Sequence, residues 1–215
     1  MFCFQLLAGQ NDDIKFSRFT TKAGLSHNIV NEVIQDGRGF MWFGTQDGLN
    51  RYDGYTFVVY KPDLYDSTSL TNNRITALCY DPRGFIWVGT AAGLNIYKMD
   101  SDEFISLSNL AGGSLAASKL AIQTLFRDQL GNIWVATRDG GLSKITITGS
   151  NLESIQVAKH FICKRKDPNS ISSNNVTTIT QDASGFIWVG TNGYGLIRFK
   201  LERFANGLKM TNYKK

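Results

Sequence analysis

The 215-residue sequence has two histidines, three cysteines and three prolines, and each scarcity removes a class of function. His27 and His160 stand apart, with no acid or nucleophile at a fixed offset, so neither a nucleophilic triad nor a histidine acid/base pair is readable. Both are expected in surface loops near unit boundaries. Cys3, Cys79 and Cys163 are odd in number and no two have metal-ligand spacing, which leaves no disulfide framework, no zinc site and no evident cofactor. Cys79 falls inside an apolar strand and reads as a small buried hydrophobe. No apolar run approaches the roughly 20 residues of a membrane-spanning helix. The net charge is +5, yet the basic residues are scattered, with only Lys164-Arg165-Lys166 and Lys214-Lys215 adjacent. A phosphate-neutralising face for nucleic acid is therefore not expected. Residues 1–10 are largely apolar and run into small residues, so 1–13 reads as the remnant of a signal-like leader, although the basic start of a secretory signal is missing.

Glycine is plentiful, at 21 residues, and 12% of the chain is aromatic. Tight turns and a ring-rich core follow from that composition. The four tryptophans, Trp42, Trp87, Trp134 and Trp188, are spaced 87 − 42 = 45, 134 − 87 = 47 and 188 − 134 = 54, and their flanks agree. Six residues before each lies Asp36, Asp81, Asp128 or Asp182. Three before lies a glycine, three after a threonine, and a Gly-Leu pair follows every time. Four recurrences of one register mark an internal repeat.

Each part of the repeat has a physical role. Asp-x-x-Gly, as in Asp81-Pro82-Arg83-Gly84, is a type I turn signature and is expected to form a hairpin tip, with the aspartate as its turn residue. An apolar strand runs into each tip and the tryptophan strand runs out of it. A second short turn, such as Thr45-Gln46-Asp47-Gly48, leads to a third strand. A fourth run, Tyr55 to Tyr60 or Glu103 to Leu107, closes the unit. Met41-Trp42-Phe43 and Ile187-Trp188-Val189 are apolar on both faces and need cover on both. The expected fold is all-β, four β-propeller blades of four antiparallel strands at about 28–66, 73–110, 118–163 and 174–213, with tryptophan filling the space between blades. An α-solenoid is excluded by the strand-like runs, and a two-sheet sandwich leaves the repeated offsets unexplained.

The unit Ile/Leu-x-x-Asp-x-x-Gly-Phe-Ile-Trp-Val-Gly-Thr-x-x-Gly-Leu-x-Arg-Tyr resembles the two-component regulator propeller repeat over about residues 14–213. Gly24 to Asn28 and Asp47 to Tyr55 resemble the first blade of such proteins. The resemblance implies an extracytoplasmic, periplasmic input domain of bacterial signalling proteins, often hybrid histidine kinases and sometimes diguanylate cyclases, with oligosaccharide as the input in several gut-bacterial members. Rings of that family commonly hold about seven blades, so four units are expected to be a partial or open propeller, a fragment or an array in need of partners. Ile14 to Phe19 resembles an outermost strand contributed to a last blade.

Function is then expected in the loops that differ between units. The turn between second and third strands carries Gln46 and Asp47 in the first unit, Arg138 and Asp139 in the third, and Asn192 and Tyr194 in the fourth, groups able to bind sugar hydroxyls or stack on a pyranose ring. Solvated turn residues with no further role are the plainer reading. The segment carries no kinase signature, since its Gly-Thr-x-x-Gly turns open strands and not helices. Binding without catalysis, of an oligosaccharide or other small ligand, is the expected function. A scaffold for self-association or for the remaining blades of a longer protein is the alternative, and a propeller lyase a further one. Contact with a membrane is expected only through segments outside this chain.

Overall fold

The computed structural model describes residues 15–110, 119–149, 152, 155–167, 169–204 and 207–212. The leader-like segment 1–13 lies outside them. Their strands form four four-stranded antiparallel sheets, each in chain order. The first holds β1 (Val30–Gln35), β2 (Met41–Thr45), β3 (Gly48–Tyr52) and β4 (Phe57–Tyr60). The second holds β5 (Ile75–Asp81), β6 (Phe85–Thr90), β7 (Gly93–Lys98) and β8 (Glu103–Ser106), after which Leu107–Leu110 makes one helical turn, so that Leu107, the expected end of the fourth run, is helical. The third comprises β9 (Ile122–Arg127), β10 (Ile133–Thr137), β11 (Leu142–Ile147) and β12 (Ile155–Phe161); the fourth comprises β13 (Val176–Gln181), β14 (Ile187–Thr191), β15 (Gly195–Phe204) and β16 (Gly207–Asn212).

Each tip forms as the Asp-x-x-Gly spacing predicts. The Gly39 amide donates to the Asp36 carbonyl at 3.1 Å, and Asp36 Oδ1 accepts from the amides of Arg38 (2.8 Å) and Phe40 (3.0 Å). The aspartate does more than cap the turn. Its second oxygen accepts the indole N–H six residues on, at 2.8 Å from Trp42, 3.3 Å from Trp87, 2.9 Å from Trp134 and 2.8 Å from Trp188. Tip and tryptophan strand are thereby one unit, because a buried indole N–H needs an acceptor.

Three hydrophobic clusters lie between successive sheets. In each, the tryptophan of the earlier sheet meets the first strand of the next: Trp42 with Ile75 and Leu78, Trp87 with Ile122 and Leu125, Trp134 with Val176 and Ile179. The residue two after each tryptophan must be small to admit this contact. A Cβ on Gly89 would stand 2.6 Å from Ile122 Cγ2, and one on Gly44 would stand 2.7 Å from Ile75 Cγ2. Each first strand also skips one residue in its pairing with the second (Asn31, Thr76, Gln123 and Thr177), a bulge that adds twist. The Asn31 side chain uses this position to donate to the Ile75 carbonyl of the next sheet at 2.7 Å.

The ends of the array differ from its middle. Val30 and Val33 stand where Ile75 and Leu78 stand in the second sheet, but are exposed. Lys15 to Thr20 make no strand among the described residues, so the outermost strand expected there is unpaired; Ile14 lies outside the description. Phe19 nevertheless packs against Tyr52 and Phe57, with ring centroids 5.3 and 5.9 Å away. Tyr60 of the outermost strand β4 packs in the same way against Tyr97 and Phe104, at 5.4 Å from each.

Candidate ligand-binding site

Antiparallel order puts the connections of each sheet alternately at its two ends. The Asp-x-x-Gly tips and the β3–β4 turns share one end. The β2–β3 turns and the long links between sheets share the other, and the two kinds of loop are stitched together there. The amides of Gly48, Ala91, Arg138, Gly141 and Asn192 donate to the carbonyls of Asn73, Arg74, Ala121, Asn174 and Asn175, at 2.7 to 3.1 Å. The threonine of every unit locks the turn from inside. Thr45, Thr90, Thr137 and Thr191 Oγ1 donate to the carbonyls of Gly48, Gly93, Gly141 and Gly195, at 2.8 to 3.1 Å. Gly48 has φ +123° and a Cβ there would lie 2.8 Å from the Tyr60 carbonyl oxygen, so no other residue fits this turn without strain.

The links 61–74 and 162–175 are built on one plan. In the first, Ser69 Oγ donates to the Asp63 and Asp66 carbonyls and accepts from the Asp63 amide. In the second, Ser170 Oγ does the same with Lys164 and Asp167. The backbones match and the displayed side chains do not, with Leu64 and Tyr65 in one link where the other carries Arg165 and Lys166. A fixed backbone with exchangeable side chains is what a recognition loop needs.

The second link borders a cleft of about 750 Å³ lined by Cys163, Lys164, Arg165, Ser172, Asn174 and Tyr194 among others. Asn174 is held in place, its Oδ1 accepting the Cys163 amide at 2.6 Å. Ser172 Oγ donates to the Tyr194 carbonyl at 3.3 Å, which ties the link to the β14–β15 turn. The Tyr194 side chain is exposed. The site thus offers two cations, hydroxyl and amide groups and one open aromatic face on a hydrogen-bonded frame.

Of the six turn residues singled out in the sequence, Tyr194 alone lines this cleft. Asn192 shares its turn and is exposed. Gln46 and Asp47 lie on the first sheet, Arg138 and Asp139 on the third. Asp47 is engaged locally, accepting from Lys61 Nζ at 2.6 Å and Asn73 Nδ2 at 2.9 Å, and these bonds hold its carboxyl below the usual carboxylate range. Lys164, Arg165 and Asn174 line the cleft but are not among the turn residues that the sequence singles out. The Lys164-Arg165-Lys166 run was visible, but its meaning depends on a link folding back against Tyr194, a contact about 30 residues distant along the chain.

His27 is in the loop before β1, its Nδ1 accepting the Ile29 amide at 3.0 Å. His160 corrects the loop expectation, since it is a strand residue of β12, with Nδ1 2.9 Å from Ser143 Oγ and a pKa lowered by burial. The two histidines lie far apart in the chain, one in the loop before the first sheet and one in the third sheet. Among the described residues no group of three His, Cys, Asp or Glu side chains is placed to hold a metal ion, and no helix is long and apolar enough to cross a membrane.

Residues 24–47, 69–92 and 170–193 match the family model for the two component regulator propeller. A 65-residue stretch is 45% identical to histidine kinase P4 of Formosa agariphila, covering 30% of this chain and 5% of that protein. The structure superposes on the extracellular domain of a hybrid two component system of B. thetaiotaomicron with TM-score 0.70 and 25% identity, over 91% of this chain and 26% of that one. Virginiamycin B lyase of Staphylococcus aureus shares the fold, with TM-score 0.56 and 16% identity over 86% of this chain and 55% of that one. The chain thus spans about a quarter of the extracellular domain it superposes on and a twentieth of the kinase it matches.

Proposed function

The chain is a β-propeller segment carrying two component regulator propeller repeats, and from that premise we propose that it serves as part of an extracytoplasmic input region of a histidine-kinase-type signalling protein, binding an oligosaccharide at the cleft between link 162–175 and Tyr194. The observation that carries the reading is the composition of that cleft. An exposed aromatic ring suits the apolar face of a pyranose, while Ser172, Asn174, Lys164 and Arg165 suit its hydroxyls and any acidic substituent. Binding is the task assigned to this segment, because the serine–histidine contact it holds, Ser143 Oγ to His160 Nδ1 at 2.9 Å, has a buried serine and lies outside the lining of the cleft. The extracytoplasmic placement is supported by the extracellular domain that the chain resembles.

Calorimetric titration with a panel of neutral and acidic oligosaccharides tests the proposal. Saturable binding that Tyr194→Ala weakens is the expected result. Absence of heat with every member of the panel, from a folded protein, would overturn it.

A further inference from the structure

The two links that share one frame carry opposite charge. The bonds of Ser69 and Ser170 set their register, so that Asp63, Leu64, Tyr65 and Asp66 in the first stand where Lys164, Arg165, Lys166 and Asp167 stand in the second. In the first link Asp63 Oδ1 accepts the Tyr65 amide at 2.9 Å, and the neighbouring cation, Lys61, is met by Asp47 at 2.6 Å. In the second link the frame takes only the backbone of Lys164, whose amide donates to Ser170 Oγ at 3.0 Å and whose carbonyl accepts from it at 3.1 Å. Neither Lys164 nor Arg165 has a carboxylate within ion-pair distance among the described residues. The acid that lines the cleft with them, Asp167, has Oδ1 occupied by the Asn169 amide at 2.9 Å.

The neutral groups of the lining add to this bias. The Cys163 amide can be met only by the oxygen of Asn174, so that oxygen is held by the frame and Nδ2, a donor, is left for a ligand. Ser170 Oγ is taken up by the frame, and Ser173 Oγ accepts the Asn175 amide at 3.1 Å. What the cleft then offers is mostly donors: an ammonium, a guanidinium and a carboxamide N–H. Such a set fits a ligand group that only accepts hydrogen bonds, whereas a sugar hydroxyl both donates and accepts. Resting on the saccharide-binding role proposed above, we infer that the cleft is selective for an anionic oligosaccharide, whose carboxylate or sulfate group sits between Lys164 and Arg165 while a pyranose face lies on Tyr194. Bonds from a guanidinium or ammonium to such a group are roughly twice as strong as those between neutral partners, and the guanidinium fork matches two oxygens of one acid group. The first link, with Asp63 at the place of Lys164, provides no counterpart.

Calorimetric titration with matched pairs separates the charge from the sugar. Oligogalacturonides and oligoglucuronides are compared with their methyl esters, and sulfated oligosaccharides with their desulfated forms, which keep the rings and lose the charge. The charged member of at least one pair should bind about tenfold tighter than its neutral mate at low ionic strength, and the ratio should shrink in about 0.5 M sodium chloride. Which pair responds tells carboxylate from sulfate. Lys164→Gln with Arg165→Gln should bring the ratio to about one, whereas Lys22→Gln with Arg74→Gln, the same loss of charge at exposed residues away from the cleft, should leave it unchanged. Near-ultraviolet circular dichroism confirms the fold, and Arg165→Gln alone carries the test if the double variant does not fold. Neutral mates that bind as tightly as the charged members in every pair, or a ratio that the change at the cleft does not move, overturn the inference and leave the saccharide site standing. Binding by no member of any pair overturns both.

Discussion

The indole of Trp134 donates to the Asp128 carboxylate at 2.9 Å, and both side chains are buried between the third and fourth sheets. Asp128 Oδ1 also accepts from the amides of Leu130 and Asn132, so a single carboxylate fixes the hairpin tip and the ring that fills the interface. Trp134→Phe keeps the ring but removes one donor and leaves a void. It should cost about 2–4 kcal/mol in urea unfolding. Trp188→Phe should cost clearly less, because that ring is only half-buried and meets no following sheet among the described residues. Equal losses at the two positions would show that the interface contributes nothing to the difference.

The small residue two places after each tryptophan makes a second prediction. Gly89→Val pushes a branched side chain against Ile122 and should lower stability by about 1–3 kcal/mol, with near-ultraviolet circular dichroism reporting loosened aromatic packing. Gly89→Val combined with Ile122→Ala should recover part of the loss.

His160 gives a pH prediction. Burial lowers its pKa below the usual 6.5, so the folded state binds that proton less tightly than the unfolded state. Its contribution to stability is therefore intact above 6.5 and is lost as pH falls through the folded value. Unfolding curves between about pH 7.5 and pH 5 should show that decline, and His160→Gln should flatten it.

The two described cysteines should differ in reactivity. Burial pushes the Cys79 thiol up to about 12, whereas Cys163 lies on the cleft. Iodoacetamide on the folded protein at mildly alkaline pH should alkylate Cys163 first, as read by peptide mass mapping. Prior labelling of Cys163 should also weaken any saccharide binding, since the adduct projects into the same space.

Most of the scaffold was legible in the sequence because it is written four times. One Asp-x-x-Gly-x-x-Trp spacing proves little, but four copies in register separate turn from strand and give the sheet order. What the repeat hid was the second use of its aspartate. Turn propensity accounts for Asp36 completely, so nothing in the sequence demanded that Oδ2 also take the Trp42 proton, which depends on the rotamer of a ring six residues away. The cleft was less legible for the opposite reason. Lys164, Arg165 and Asn174 sit in a link whose path is set by Ser170 and by pairing of the Gly141 amide with Asn174, neither of which has a signature outside the fold. Tyr194 was legible because the fourth unit breaks the pattern there.

The clusters between sheets are built from fixed offsets, the tryptophan of one unit against positions twelve and nine residues before the tryptophan of the next. A unit therefore brings both halves of the junctions it will need. Duplication of any one unit by unequal recombination yields a copy that already fits before and after its parent, without a compensating change elsewhere. Lineages of such chains are free to lengthen or shorten by whole blades, while the links between them, held by a single serine and a few amides, are left to diverge in what they recognise.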